Sequence, residues 1–185
     1  MTGRFTSSAT RIEGLAVIER MPAIDSRGFF ERMFSPADIP GFADGVRQIN
    51  RSRTVRKGSV RGMHFQLAPH AETKLVSCIR GEIFDVVVDA RRNSPTFLQW
   101  YGHVLTADNH LSLLIPAGCA HGFQTLCDEC ELIYVHSQDH VPASERGLRF
   151  SDPRLNIGWP LPVAEVSQRD ANWPLIAESF GGIDA

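Results

Sequence analysis

Lysine is nearly missing from this sequence: of 19 basic residues 17 are arginine, and only Lys57 and Lys74 carry an ammonium group. Arginine presents a rigid fork suited to phosphate and carboxylate, whereas lysine is a compact charge that its surroundings can tune. Tyrosine is equally scarce, with Tyr101 and Tyr134 alone. No stretch approaches the roughly 18 consecutive apolar residues of a membrane helix. The start, MTGRFTSSATRIEG, has no apolar run after its basic residues and so does not read as a secretory signal. There is no excess of positive charge either. A net charge of −2 and an isoelectric point near 6.4 argue against a general nucleic-acid binder. Repeats, low-complexity tracts and strong helical periodicity are absent. These absences point to a globular protein of the cytoplasm, with no membrane or nucleic-acid partner.

The four cysteines, Cys78, Cys119, Cys127 and Cys130, come without secretory context, so no disulfide framework is expected. Cys127 and Cys130 form a C-x-x-C, but a structural zinc site needs a second closely spaced ligand pair. Cys127-Asp128-Glu129-Cys130 reads instead as the polar turn of a hairpin between apolar runs.

What is present is strand. The 185 residues are one domain's worth of chain, so residues 1–185 are expected to form a single domain. Lys74–Arg80 and Ile83–Asp89 are β-branched runs joined by Gly81-Glu82. Phe97–Leu105, Leu111–Ile115, Gly122–Leu126 and Glu131–His136 follow, with Gly28–Phe34 and Val46–Asn50 as earlier candidates. Short strands at regular spacing without helices between them predict a sandwich or barrel. A short turn is expected at Ser35-Pro36-Ala37-Asp38 and another after Pro162. The proline-rich tail beyond Asp152 should wrap the surface. The expected architecture is an all-β jelly roll of cupin type with short peripheral helices.

Three places carry candidate chemistry. In Arg61-Gly62-Met63-His64-Phe65-Gln66, strict alternation puts His64 on one face with Gly62 and Gln66, and Arg61 on the other. His64 has the right ionisation range for a general base near neutrality. Pro116-x-Gly118-x-x-His121 after an apolar strand is a tight turn that aims a histidine inward, similar to the second motif of cupins. Metal-binding cupins also need an H-x-H on an earlier strand, and here only His64 occupies that region, so no metal is expected. Tyr134 alternates with Leu132 and His136 and faces the interior or packs outside.

These residues sit in a longer series. Asp25-Ser26-Arg27-Gly28-Phe29-Phe30, Gln48-Ile49-Asn50, Val60-Arg61-Gly62-Met63-His64-Phe65-Gln66 and Lys74-Leu75-Val76 are followed by Gly81-Glu82-Ile83-Phe84-Asp85-Val86 and Ser94-Pro95-Thr96-Phe97. Ile115-Pro116-x-Gly118-x-Ala120-His121-Gly122-Phe123, Glu145-Arg146-Gly147, Asp152-Pro153, Ile157-x-Trp159-Pro160 and Ser167-x-x-Asp170 complete it. In that order, from about Glu13 to Pro174, the series resembles the dTDP-4-dehydrorhamnose 3,5-epimerase family.

The resemblance implies a homodimer that needs no cofactor and acts on a nucleotide-diphosphate-linked 4-keto-6-deoxyhexose. Protons at C3 and C5 lie α to the ketone, so removing one gives an enolate, and reprotonation on the opposite face inverts the centre. By the same resemblance His64 is the general base, Asp170 fixes its tautomer, Lys74 stabilises the oxyanion and Tyr134 delivers a proton from the other side. Arg27, Arg32, Gln48, Asn50, Arg61, His121, Glu145 and Arg169 are implied to contact the substrate.

The chain departs from the family pattern at the nucleotide end. Arg32 stands where the family has Glu, with Glu31 one position earlier. Val135 stands where Lys is common, and Gln138-Asp139-His140 replaces a pair of aromatics. A CDP- or GDP-linked substrate is the alternative these changes raise, and inversion at one carbon only is a second alternative, set by how the sugar is placed. Two readings are more distant: a non-catalytic sugar-nucleotide binder, which has no use for a base set against an opposing acid, and a metal-dependent cupin, whose ligands are missing at the first motif.

Overall fold

The computed structural model of the chain describes residues 4–184 and is almost entirely antiparallel β. Its strands are β1 (Phe5–Ala9), β2 (Ala16–Arg20), β3 (Ala23–Asp25), β4 (Gly28–Phe30), β5 (Gln48–Thr54), β6 (Ser59–Gln66) and β7 (Lys74–Arg80). They continue as β8 (Glu82–Asp89), β9 (Trp100–Thr106), β10 (Leu111–Ile115), β11 (Cys119–Thr125), β12 (Cys130–His136), β13 (Glu145–Gly147) and β14 (Glu165–Val166). The helix α1 (Gln168–Ala171) has four residues, and Ser167 caps it by accepting the Asp170 N–H at 3.0 Å. No helix among the described residues is long and apolar enough to cross a membrane.

Two six-stranded sheets face each other. One runs β1-β2-β10-β7-β12-β5, the other β13-β6-β11-β8-β9 with β14 added parallel to β6. Alternation along each strand sends one set of side chains between the sheets and the other outward. Val76, Leu113, Ile115 and Leu132 of the first sheet meet Ile83, Val87, Leu105 and Phe123 of the second. The outer face of the second sheet, with Met63, Phe65, Val86 and Val88, is covered by Leu148, Leu155, Trp159 and Ile176 from the tail. The proline-rich end of the chain thus closes a sheet that would otherwise expose apolar surface to water. The jelly roll inferred from strand spacing is the fold observed.

Strands β7 and β10 coincide with the runs read from sequence. Gly28–Phe34 shrinks to the three residues of β4, because Glu31 turns inward to Arg20 at 3.1 Å and His110 at 2.9 Å. The strand expected at Val46–Asn50 begins later and extends to Thr54. Ser35–Asp38 is a turn closed by the Asp38 and Ile39 N–H groups donating to the Ser35 carbonyl. Strands β1 to β3 carry no clear alternating signal and were not anticipated.

Candidate active site

Between the sheets, on the side of β5 and β6, lies a cavity of about 730 Å³. β6 forms one wall, and its course differs from simple alternation. Opposite β11 the register pairs His64 with His121 and Arg61 with Phe123, so three steps on β6 match two on β11. This bulge turns both Arg61 and His64 into the cavity, where strict alternation had placed them on opposite faces. It depends on Gly62, whose φ of +133° disfavours any side chain and whose Cβ would lie 2.5 Å from the Gly122 Cα.

His64 Nε2 donates to Asp170 Oδ1 at 2.7 Å. Asp170 sits on α1 and also accepts the Gly62 N–H at 3.3 Å. Burial alone would raise the Asp170 carboxyl. The hydrogen bond and charge of His64, helped by the Gly62 N–H and Arg169, instead hold it down at about 2. With Nε2 committed to this carboxylate, Nδ1 keeps the lone pair with which the ring can accept a proton.

Tyr134 projects from β12 on the opposite wall, its hydroxyl 3.2 Å from Ser52 Oγ. Burial pushes the phenol above its ordinary value. Asp85 adds to that shift, while the Ser52 hydrogen bond and Arg61 oppose it. The phenol therefore keeps its proton near neutral pH. Lys74, on β7, is nine-tenths buried. Its Nζ donates to Glu72 Oε1 at 2.9 Å and lies 3.3 Å from the His64 carbonyl.

A second imidazole–carboxylate pair adjoins the first. His121 Nε2 is 2.7 Å from Oδ1 of Asp85, a carboxylate with no solvent exposure whose Oδ2 has no hydrogen-bond partner among the described residues. The His121 and Tyr134 rings meet edge to face with centroids 6.1 Å apart. Glu145 and Arg169 guard the cavity rim with a 3.0 Å ion pair, and Arg169 Nη2 lies 3.2 Å from His64 Nε2. Gln48 and Asn50 of β5 complete the opposite rim.

Ten of the twelve residues picked from the sequence thus line one cavity. Arg27 and Arg32 do not. Arg27 lies on the β3–β4 hairpin, exposed and paired with Asp25 at 2.6 Å, and Arg32 is exposed beyond it. Sequence reasoning missed Asp85, Glu72 and the site role of His136. Asp85 left a trace, a lone charge at an inward position between Ile83 and Val87. Glu72 sits in an irregular segment without periodicity and left none. Among the described residues no three His, Cys, Asp or Glu side chains converge as metal ligands. Cys127 and Cys130 face each other at 3.6 Å across the hairpin turn as free thiols.

A jelly roll with an imidazole–carboxylate pair on one wall and a protonated phenol on the other has the groups to take a proton from, and give one to, a ligand held between its sheets. The comparisons with known proteins are specific about which. The family model described as dTDP-4-dehydrorhamnose 3,5-epimerase matches residues 9–178. The dTDP-4-dehydrorhamnose 3,5-epimerase of Shigella flexneri is 41% identical over 88% of this chain and 91% of its own. The crystal structure of dTDP-6-deoxy-D-glucose-3,5-epimerase RmlC from Legionella pneumophila in complex with dTDP-4-keto-L-rhamnose is similar with a TM-score of 0.86. It is 39% identical and the match covers 92% of each chain. ChmJ, a 3′-monoepimerase from Streptomyces bikiniensis in complex with dTDP-quinovose, is similar with a TM-score of 0.83 at 32% identity, covering 90% of this chain and 85% of that one. The chain belongs to the dTDP-4-dehydrorhamnose 3,5-epimerase family, whose members are carbohydrate epimerases of the isomerase class.

Proposed function

We propose that this enzyme inverts C3 and C5 of a dTDP-linked 4-keto-6-deoxyhexose, converting dTDP-4-dehydro-6-deoxyglucose to dTDP-4-dehydrorhamnose. The observation that carries the reading is the placement of His64 and Tyr134 on opposite walls of one cavity. A base alone would exchange a proton without inverting the carbon. Inversion needs removal on one face and delivery on the other.

His64 takes the proton from the carbon α to the ketone through Nδ1, and Asp170 stabilises the imidazolium that forms. Electrons from the broken C–H bond move to the C4 oxygen, where the Lys74 ammonium stabilises the enolate. Tyr134 returns a proton from the opposite face. Exchange with solvent then takes the proton from the His64 imidazolium and returns one to the Tyr134 phenolate, and repetition at the second α carbon gives the double epimer. Arg61 and Arg169, forks at the cavity mouth, suit the diphosphate, and His121, Gln48, Asn50 and Glu145 contact the rest of the ligand. No cofactor takes part in these steps. The four free thiols fit a reducing cytoplasmic setting.

Two copies complete the site. The β3–β4 hairpin stands out from the body with Ile24 76% exposed and Phe30 70%, and Arg27 at its tip serves no group of its own cavity. Docking this hairpin on a second protomer buries its aromatics and brings Arg27, followed by Arg32, to the partner's cavity mouth. In that arrangement Arg27→Ala weakens substrate binding about tenfold with kcat little changed, as loss of a charge-assisted contact predicts. Steady-state kinetics and light scattering check both halves of the statement.

The direct test is incubation with dTDP-4-dehydro-6-deoxyglucose in D₂O, with deuterium located by NMR. Label at C3 and C5 of an inverted product is expected. Label at one carbon makes the enzyme a mono-epimerase, and none, with turnover of the CDP or GDP analogue, moves the nucleotide assignment to those bases.

A further inference from the structure

Beside Lys74 the cavity is lined by two buried groups, Glu72 and His136, that the mechanism above leaves unused. Glu72 is nine-tenths buried and divides its carboxylate between two directions. Oε1 accepts from Lys74 at 2.9 Å. Oε2 accepts from the Gln66 amide at 2.9 Å and lies 3.4 Å from His136 Nδ1. Gln66 is fixed in turn, donating to the carbonyls of His70 and Asp139 and accepting the Val141 N–H at 2.6 Å, so Glu72 has little freedom to move. His136 is also nine-tenths buried and lines the cavity, with Nδ1 lacking a hydrogen bond among the described residues. Its ring stacks with Tyr134 at 24° and 6.1 Å.

Lys74 of β7, Gln48 and Asn50 of β5, Tyr134 of its own strand and Glu72 are the groups around His136. Glu72 and Lys74 are the charged ones. With His136 neutral, Glu72 and Lys74 cancel. With His136 protonated, the three side chains sum to one positive charge. Burial works against the charge of Glu72, yet His136 and Lys74 together hold its carboxyl below the ordinary value, as two groups sharing one anion should.

We propose that Glu72 joins Lys74 and His136 into one charge cluster, so that the positive charge offered to the enolate oxygen is full only while His136 carries a proton. Glu72 and His136 are then positioning residues acting through Lys74, an inference that rests on the proposed epimerisation. The protonation state of His136 thus sets the charge at the oxyanion end independently of the base His64.

The test compares His136→Gln with the wild-type enzyme. The ratio of their kcat values cancels the titration of His64, which both contain. It is expected to fall by about tenfold between about pH 8.5 and pH 6, the scale of one buried charge near the reacting oxygen. A second readout is free of catalysis. With two lysines in the chain, lysine labelled with ¹⁵N gives two side-chain signals. The Lys74 signal should follow pH over the same interval in the wild type and lose that response in His136→Gln. A flat kcat ratio, or an identical Lys74 response in both proteins, overturns the proposal and leaves His136 a packing residue. If His136→Gln does not fold, Glu72→Gln addresses the same cluster, since it leaves Lys74 unopposed at every pH and its kcat ratio to wild type should rise with pH. Should the wild type fail to exchange either carbon, the epimerase reading fails, and the Lys74 signal still decides whether the cluster exists.

Discussion

The space between the two sheets has two halves, built from the same strands and opposite in character. Along β7, Lys74 leads to Val76 and Cys78. Along β12, His136 and Tyr134 lead to Leu132 and Cys130. At one end the inward positions are charged and surround a cavity. At the other they are apolar and packed solid, with Ile12 and Leu15 plugging the barrel. Desolvated charges are unfavourable unless paired, and the cavity end contains three such groups: His64–Asp170, His121–Asp85, and Lys74 with Glu72 and His136. The apolar end supplies the burial that offsets them. Rate should therefore reside in one half and stability in the other.

The sharpest break in that division is His64→Gln, which removes the proposed base and leaves the packed half intact. Exchange of the substrate protons is expected to fall by roughly 10² to 10⁴, while the thermal midpoint stays close to wild type. Its counterpart is Leu113→Ala, at a fully buried position of the apolar half. Urea unfolding should show a loss of about 2–5 kcal/mol, with kcat per folded molecule unchanged. If Leu113→Ala lowers kcat as much as it lowers stability, the halves are not separable.

A smaller effect separates two carboxylates with the same titration and different duties. Asp89, at the end of β8, is buried. Burial would raise its carboxyl, but Arg91, Ser94 and Thr96 hold it at about 2, the value also reached by Asp170. Both lie below an unfolded carboxyl, so the stability each contributes is present above about pH 4 and is lost as pH falls towards 2. Asp89→Asn should remove about 2 kcal/mol of that acid-dependent stability, on the linkage between carboxyl shift and folding. Turnover at neutral pH should remain, whereas Asp170→Asn should lose both. Urea titrations at pH 7 and pH 2 beside an activity assay make the distinction.

The apolar half was the more legible in the sequence. Lys74–Arg80 and Leu111–Ile115 read as short, largely apolar runs because both faces of these strands are covered and nearly every residue in them is buried. The proline-rich tail was legible for a related reason, since proline cannot continue a ladder and the segment had to lie across a surface. The cavity half was legible only in its chemistry-bearing side chains. His64, His121 and Tyr134 stood out by residue type and motif, but alternation put Arg61 and His64 on opposite faces. The bulge that reunites them forms where Gly62 meets Gly122 across two strands, a tertiary contact invisible to local pattern. Glu72 was invisible for the same reason, its partners being distant strands or a neighbour in an irregular segment. Arg27 and Arg32 were picked as site residues, yet no cavity of their own protomer receives them.

The central claim, that base and acid act from opposite walls, is tested most directly by Tyr134→Phe in D₂O. The substitution keeps the ring that stacks with His136 and removes only the proton donor. The account predicts that deuterium still enters at the α carbons, because His64 still removes and returns protons on its own face, while inverted product falls by at least about 10². Inversion at the wild-type rate in this variant would contradict it.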